Sequence, residues 1–308
     1  MTLCSRSRHE LPPYATELSR GVAVEQIADN VFVITENLGS NNGMVVTSEG
    51  IVLIDSPHKP TDAVAWRRQV EEKGRVRYLI NTDHHIDHTM GNFFMADEAT
   101  VIIGHDETRR KLLEAHPTLE LMTTLLEHFD PAGLPLMENY IYRVPTLTCS
   151  DRMTLHLGGI CFQLMFFQGH TPNGLMVYLP EQRILFSGDH VCTLGLPSFQ
   201  ECRVFEWFDT LNYIMSMDVD LIVPGHGDVG PRGVARTFYD EVRNLVERVR
   251  DAMKKGWTRE KIVEEIRFPD LLHVTTDRYV GYPEQMMEQF QRRSMGAIYD
   301  QILARWGT

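Results

Sequence analysis

The chain has 308 residues, 43% hydrophobic and 23% charged, with a formal net charge of −12. That length accommodates one large domain or two small ones, and the acidic balance argues against nucleic-acid or anionic-membrane partners. Five cysteines (Cys4, Cys149, Cys161, Cys192, Cys202) without a C-x-x-C pair argue against a disulfide framework and fit a reducing cytosol.

Residues 1–21 read as an irregular N-terminal arm and 22–308 as the folded domain. The arm carries Arg6, Arg8, Glu10 and Glu17 rather than the apolar core of a signal peptide. No apolar stretch reaches membrane-spanning length, so a cytoplasmic location is expected. Val22–Ile27, Val31–Glu36 and Gly43–Thr47 are short β-branched runs broken by Asp29-Asn30 and Gly39-Ser40-Asn41-Asn42. Gly50 introduces Ile51-Val52-Leu53-Ile54-Asp55, a run suited to a strand buried on both faces. Thr61 is predicted to cap a helix running to about Lys73, with Gly74 as its stop. Val76–Ile80 is the next strand, Gly91-Asn92 a turn, and Val101–Gly104 a further strand.

Residues 105–145 are rich in Leu, Met and His and punctuated by Pro117, Pro131, Pro135 and Pro145. They predict helices around Glu107–Ala115 and Thr118–His128, then a long loop. This stretch is either a peripheral helical insert or a lid whose Met, Phe and Tyr side chains line a substrate pocket. The second half repeats the strand style at Met153–Leu157, Ile160–Phe167, Leu175–Leu179, Ile184–Ser187 and Leu221–Val223, with a helix over Val204–Ser216. Residues 233–308 turn helical: Gly233–Lys255, then Arg259–Ile266 capped by Thr258, then Pro283–Arg305. Strand-rich halves with helices predict an α/β layered fold without a close sequence repeat.

The densest chemistry follows Val76–Ile80. In Asn81-Thr82-Asp83-His84-His85-Ile86-Asp87-His88, the residues Asp83, His85, Asp87 and His88 stand at i, i+2, i+4 and i+5. Packing so many imidazoles and carboxylates together is costly unless a cation neutralises them. More His and Asp recur at Gly169-His170-Thr171, Ser187-Gly188-Asp189-His190 and Pro224-Gly225-His226-Gly227. A turn leaving a strand aims i and i+2 one way and the next pair another, which suits two close metals better than one tetrahedral cage. His, Asp and water ligands fit zinc, and also iron or manganese. A structural zinc more often uses Cys, and the cysteines here are isolated, so the site leans towards catalysis. No G-x-S-x-G, P-loop or dinucleotide fingerprint occurs.

These pieces resemble the metallo-β-lactamase superfamily. The matching segments are Ile54-Asp55, Asn81 to His88 with Gly91-Asn92, Gly169-His170-Thr171-Pro172-Asn173, Phe186-Ser187-Gly188-Asp189 and Val223-Pro224-Gly225-His226-Gly227. They occur in the family's order over about residues 22–230. The resemblance implies a four-layer αββα sandwich with metals at one edge, here with a helical insert and C-terminal helices. It assigns Asp83, His85 and His170 to one metal, Asp87, His88 and His226 to a second, and Asp189 to a bridge. Asp83 departs from the pattern, which has His at that position. A carboxylate binds zinc at a similar length but hardens the site towards iron or manganese. The competing reading is a mononuclear enzyme at Asp87, His88, Asp189 and His226. Asp55 is expected to orient a ligand His from behind.

The implied chemistry is hydrolysis by a metal-bound hydroxide, with one or two Zn2+ per chain and iron or manganese as alternatives. Asp87 would orient the water or carry its proton. His190, or a Tyr from the insert, would protonate the leaving group, while a wall role for His190 is equally open. His84 reads as a packing residue and His58 as a residue lining the cleft. His9, His105, His116, His128, His156 and His273 read as ordinary polar residues, and Met122, Met286 and Met287 as packing.

The expected substrate is a small molecule with an ester, lactone or amide-like bond. The alternative is hydrolytic dehalogenation of an activated aromatic ring. Readings of other classes are a di-iron redox protein and a binding protein without catalysis. The C-terminal helices are expected to pack on the sandwich, or else Tyr279, Tyr282, Phe290 and Tyr299 would cover the cleft or form a subunit contact, and self-association is left open.

Overall fold

Alternating β-branched runs pair into two mixed sheets. The computed structural model describes residues 22–195, 197–267 and 284–307; the arm at 1–21, His273, Tyr279 and Tyr282 lie outside the described residues. The first sheet follows chain order: β1 (Glu25–Ala28), β2 (Val31–Ile34), β3 (Asn42–Thr47), β4 (Gly50–Ile54), β5 (Val76–Ile80), β6 (Val101–His105) and β7 (Leu147–Cys149). Its first four strands meander antiparallel, and β4 to β7 run parallel. The second sheet comprises β8 (Arg152–Leu157), β9 (Ile160–Phe167), β10 (Gly174–Leu179), β11 (Ile184–Cys192), β12 (Leu221–His226) and β13 (Gly230–Pro231), neighbours pairing in that order. It is antiparallel except between β11 and β12.

Strand alternation decides what fills each layer. Val31, Val45, Val52, Ile54, Ile80 and Ile103 of the first sheet meet Phe162, Leu164, Leu175, Val177 and Phe186 of the second. The opposite face of the first sheet, through Met44, Ile51, Leu53 and Leu79, packs on Trp66 and Val70 of α1 (Pro60–Lys73). Outside the second sheet lie α6 (Val204–Ser216), α7 (Gly233–Lys254), α8 (Arg259–Glu265) and α9 (Glu284–Trp306). The layers therefore run α, β, β, α, as the resemblance implied. Each fully buried aliphatic side chain in these layers contributes roughly 1.5–3 kcal/mol.

The insert supplies α4 (Asp106–Ala115), α5 (Leu119–Phe129) and a 3₁₀ turn at Pro131–Met137. Met122, Leu126, Leu136 and Met137 pack on Ala63 and Val64 of α1 and on Met90, Phe93 and Phe94. Among these, Met90 lies just beyond α2 (Ile86–Thr89), and the phenylalanines belong to α3 (Asn92–Met95). The insert thus roofs the segment that carries the Asp/His cluster.

Several local expectations change. Thr61 does not cap α1: its N–H and hydroxyl donate to Asp130 at 3.0 and 2.9 Å, so the insert supplies the carboxylate for that helix end. Asn92 opens α3 rather than a turn, because its amide is held by Asn81, Ser56 and the Arg143 carbonyl. The strand expected at Ile184–Ser187 runs on to Cys192, and all nine residues are buried. Its Gly-Asp-His portion has poor strand propensity, but pairing with β12 overrides it. His105 is no mere surface polar residue; its Nδ1 accepts from Glu107 N at the start of α4. Neither β7 nor β13, both three residues or shorter, was anticipated from periodicity.

Candidate metal centre

The parallel strands β4, β5, β11 and β12 end on the same edge of the sandwich, and their C-terminal ends deliver most of the charged side chains. Hydrogen bonds lock that edge. Leu175 N donates to the Thr82 carbonyl at 2.7 Å, and Asn41 N to the Gly225 carbonyl at 2.7 Å. The Asn41 amide adds bonds to the carbonyls of Pro224 and Gly227 at 2.9 and 2.7 Å. Asn81 Nδ2 donates to the His88 carbonyl at 3.1 Å, pinning the turn in which the Asp/His motif sits.

Asp83, His85 and His170 converge as one group. Asp83 Oδ1 accepts from the His85 backbone N–H at 2.7 Å, which leaves Oδ2 facing His85 Nδ1 at 3.3 Å and His170 Nε2 at 3.9 Å. The ring nitrogens His170 Nε2 and His85 Nδ1 are 3.1 Å apart. Asp87, His88 and His226 converge as a second group. Asp87 Oδ2 lies 3.2 Å from His226 Nε2 and 4.0 Å from His88 Nε2. Asp189 reaches both groups: Oδ2 is 3.4 Å from His170 Nε2, while Oδ1 is 3.5 Å from His88 Nε2 and 3.1 Å from His226 Nε2. A side chain at Gly225 would forbid this, since a Cβ there would fall 1.9 Å from Asp189 Oδ1.

Electrostatics explain how carboxylates persist here. Burial alone would raise Asp83, but the imidazoles of His88, His85 and His170 outweigh it and hold its carboxyl well below the usual range. Burial is likewise outweighed at Asp189 by His226, His88 and His170, and at Asp87 by His88 and His226. His85 is carried up to about 9, against its burial, by Asp83 and Asp87. His88 is raised well above its ordinary value, against its burial, by Asp83, Asp55 and Asp87. His170 falls to about 3, chiefly through burial.

These residues fit divalent cations. His88 Nε2, His226 Nε2 and Asp189 Oδ1 are buried without a hydrogen bond, although they point at one another across a few ångströms. Buried polar atoms in that condition are costly unless a further group satisfies them. The donor set of imidazole and carboxylate, without thiolate, suits zinc, iron or manganese. Among the described residues, no cysteine joins these groups.

Asp55 stands behind His88, with Oδ2 2.9 Å from Nδ1. It is itself held by Thr82, whose N–H and hydroxyl donate at 2.8 and 2.7 Å. A carboxylate in that place fixes the tautomer that leaves Nε2 available to a metal.

His190, read equally as a leaving-group acid or a wall residue, has the placement of a wall residue. Successive strand residues face opposite ways, so Asp189 turns to the charged groups and His190 turns inward. Its ring is 1% exposed and rests against Gly169 and Gly174; its carbonyl accepts from Trp207 Nε1 at 3.0 Å. Burial lowers His190 to about 4, which keeps it neutral. Together with Asp83, His170 and Thr171 it lines a small polar cavity under the site. His58 is fully buried and stacks on Phe129 of the insert at 4.8 Å. His84 turns from the two groups towards Glu201 and Lys111. Tyr142 of the insert bonds the Thr89 hydroxyl at 2.7 Å, beside the motif turn. Tyr142 belongs to the insert whose tyrosines were expected at the site, whereas Thr82, Lys111 and Glu201 were not singled out from the sequence. Thr82 was within reach as part of the motif, whereas Lys111 and Glu201 carry no local signal.

Comparison with known proteins accounts for this arrangement. Residues 36–226 match the family model described as the metallo-beta-lactamase superfamily. A metallo-beta-lactamase type 2 from Bacillus cereus is 27% identical over 229 residues, covering 69% of this chain and 79% of that protein. A linear primary-alkylsulfatase from a Pseudomonas species is 24% identical over 298 residues; the match covers 84% of this chain but 55% of that longer protein. A solved metallo-beta-lactamase from Pontibacter korlensis shares the fold with a TM-score of 0.59 at 21% identity, covering 72% of this chain and 99% of that one. These matches and the paired ligand groups support a metal-dependent hydrolase. The chain belongs to the metallo-beta-lactamase superfamily.

Proposed function

We propose that this protein hydrolyses an ester, lactone or amide-like bond in a small, partly apolar substrate, with two zinc ions as the resident cofactor. The observation that carries this reading is the Asp189 carboxylate, whose two oxygens serve the two groups of imidazoles at once. Bound cations would supply Lewis acidity, an acidified water and neutralisation of developing negative charge. Asp83, His85 and His170 would hold one ion, and Asp87, His88 and His226 the other. Asp87, with its side chain 20% exposed, is the carboxylate able to accept a proton from an attacking water. Asp55 holds His88 in register, and the Asn81–Asn92 amide pair holds the turn, so the donors need little reorganisation. Ile86, Phe129, Leu134, Tyr140 and Tyr142 pack, partly buried, around the insert, and would give the substrate an apolar wall.

An alkyl sulfate ester is the second reading. The alkylsulfatase match supports it by extending over 298 residues, well past the stretch that carries the metal motif.

The test is a metal count on purified protein, followed by hydrolysis assays of zinc-loaded and chelator-stripped protein. Esters, lactones, amides, alkyl sulfates and activated aryl halides make up the panel. The expected result is two zinc ions per chain and zinc-dependent hydrolysis of a carboxylic ester or lactone. Two irons with a coloured charge-transfer band would overturn it in favour of a redox protein. A zinc-loaded protein inert on the whole panel would overturn the enzymatic reading.

A further inference from the structure

The connection between β2 and β3, residues 35–41, is longer than the roughly 2–5 residues that join most paired neighbours. Its last two residues bond to two distant segments. Ser40, fully buried, donates its hydroxyl to the Asp87 carbonyl at 2.7 Å and accepts from Asn42 Nδ2 at 3.3 Å. Asn41, 5% exposed, gives its backbone N–H to the Gly225 carbonyl at 2.7 Å. Its Nδ2 donates to the carbonyls of Pro224 and Gly227 at 2.9 and 2.7 Å. The backbone is thus held on both sides of His226. Gly39 lets the loop come this close. Its φ is 101°, and a Cβ there would fall 2.6 Å from His58 Cβ and 3.2 Å from Asp87 Cβ.

Asp87 and His226 belong to one group of donors but come from different layers. Asp87 lies in α2, just after β5 of the first sheet, while His226 ends β12 of the second. Apolar packing between the sheets is non-directional and leaves their edges free to slide. Hydrogen bonds are directional and fix a spacing to a few tenths of an ångström. The 3.2 Å between Asp87 Oδ2 and His226 Nε2 is set across that seam, and the loop is bonded to the backbone on each side of it. These bonds also dictate how the Asn41 amide is turned. Among the described residues nothing donates to its buried Oδ1, yet turning the amide over would set that oxygen against two carbonyls.

We propose that Ser40 and Asn41 are positioning residues for the metal held by Asp87, His88 and His226, clasping the two layers so that Asp87 and His226 meet across the seam. Among the described residues no hydrogen bond runs from this loop to Asp83, His85 or His170, so the effect is confined to one metal. The inference rests on reading Asp87, His88 and His226 as metal ligands.

The experiment titrates zinc against a chromophoric chelator and reads the stepwise dissociation constants of wild type, Asn41→Ala, Ser40→Ala and His226→Ala. Circular dichroism and a melting curve show that each variant is folded. The constant that disappears in His226→Ala marks the second group. Asn41→Ala is expected to weaken that constant by about 10–100-fold, the scale for losing a residue that supports a ligand, with the other unchanged. Ser40→Ala should weaken the same constant less, because it loses one bond to the ligand segments rather than two. If Asn41→Ala does not fold, Ser40→Ala decides by the same criterion. Unchanged constants in the folded variants, or equal weakening of both with a lowered melting temperature, would reduce the loop to a structural brace and overturn the proposal, provided that His226→Ala loses one ion. Unchanged stoichiometry in His226→Ala would overturn the ligand reading beneath it.

Discussion

His88 is completely buried, whereas the His85 side chain keeps 29% of its exposure. The contrast extends to what stands behind each ring. His88 is backed by Asp55, which two bonds from Thr82 hold in place inside the sandwich. His85 meets Asp83 on its Nδ1 edge, and the nearby Glu201 pairs with His84 and with Lys111 of the insert rather than with His85. His88 is therefore locked into the sheet edge, while His85 stands nearer the surface. Preorganised donors bind with less loss of side-chain entropy, so the second group is expected to bind its ion more tightly. Two metal positions in one cleft can thus differ in affinity even though their donors are alike.

The largest expected effect erases the contrast. Asp189→Ala removes the carboxylate that contacts both groups, so both zinc constants should weaken. Hydrolysis should fall by roughly 10²–10³-fold or more, the scale of losing one charge-stabilising group. Wild-type affinity at both positions in the chelator titration would contradict this. Asp83→Ala should act on one side only, giving about one metal per chain at unchanged fold, as expected when a ligand is removed. Elemental analysis checks it, and two retained ions would refute the assignment of Asp83. Asp83→His should keep both ions and shift preference towards zinc over manganese, because imidazole is the softer donor. Asp55→Asn is the mirror experiment: the second group should lose about 10–100-fold in affinity while the first holds.

The smallest effect is in pH. In the metal-free protein His85 titrates at about 9, burial being outweighed by Asp83 and Asp87. Its unfolded value is about 6.5. A raised folded value means that its contribution to stability is complete below about 6.5 and is lost as pH rises through about 9. Metal uptake must expel that proton, so affinity at the first group should climb up to about tenfold per pH unit and level off near pH 9. His88 is held well above its ordinary value by Asp83, Asp55 and Asp87 against its burial. The second group should therefore also gain affinity as pH rises. Calorimetry in buffers of different ionisation enthalpy counts the protons released, and metal uptake without proton release at neutral pH would refute this.

Much of the centre was legible from residue type and spacing, because a metal site concentrates its donors in short motifs. All seven donors proposed for the metals came from four such segments, and the structure brings them to one edge. Asp55 was legible too, as the carboxylate ending an apolar run. His190 stayed open between two roles, because adjacency to Asp189 means opposite faces only once both residues are known to lie in a strand. Thr61 had the chemistry of a cap, but the competing carboxylate of Asp130 lies far along the chain. Lys111 and Glu201 had no pattern to betray them, since each meets a partner distant in sequence.

Chain order and residue type by themselves pointed to a layered α/β architecture and a cluster of candidate donors, and the family resemblance divided those donors and singled out Asp83. Hydrophobic periodicity and clustered ligands are local properties, and they survive being read along a line. Only the tertiary structure decided how deeply His85 and His88 are buried and which way His190 turns. Those outcomes depend on side chains from separate elements meeting at a few ångströms, where pairing and burial override any single residue's preference.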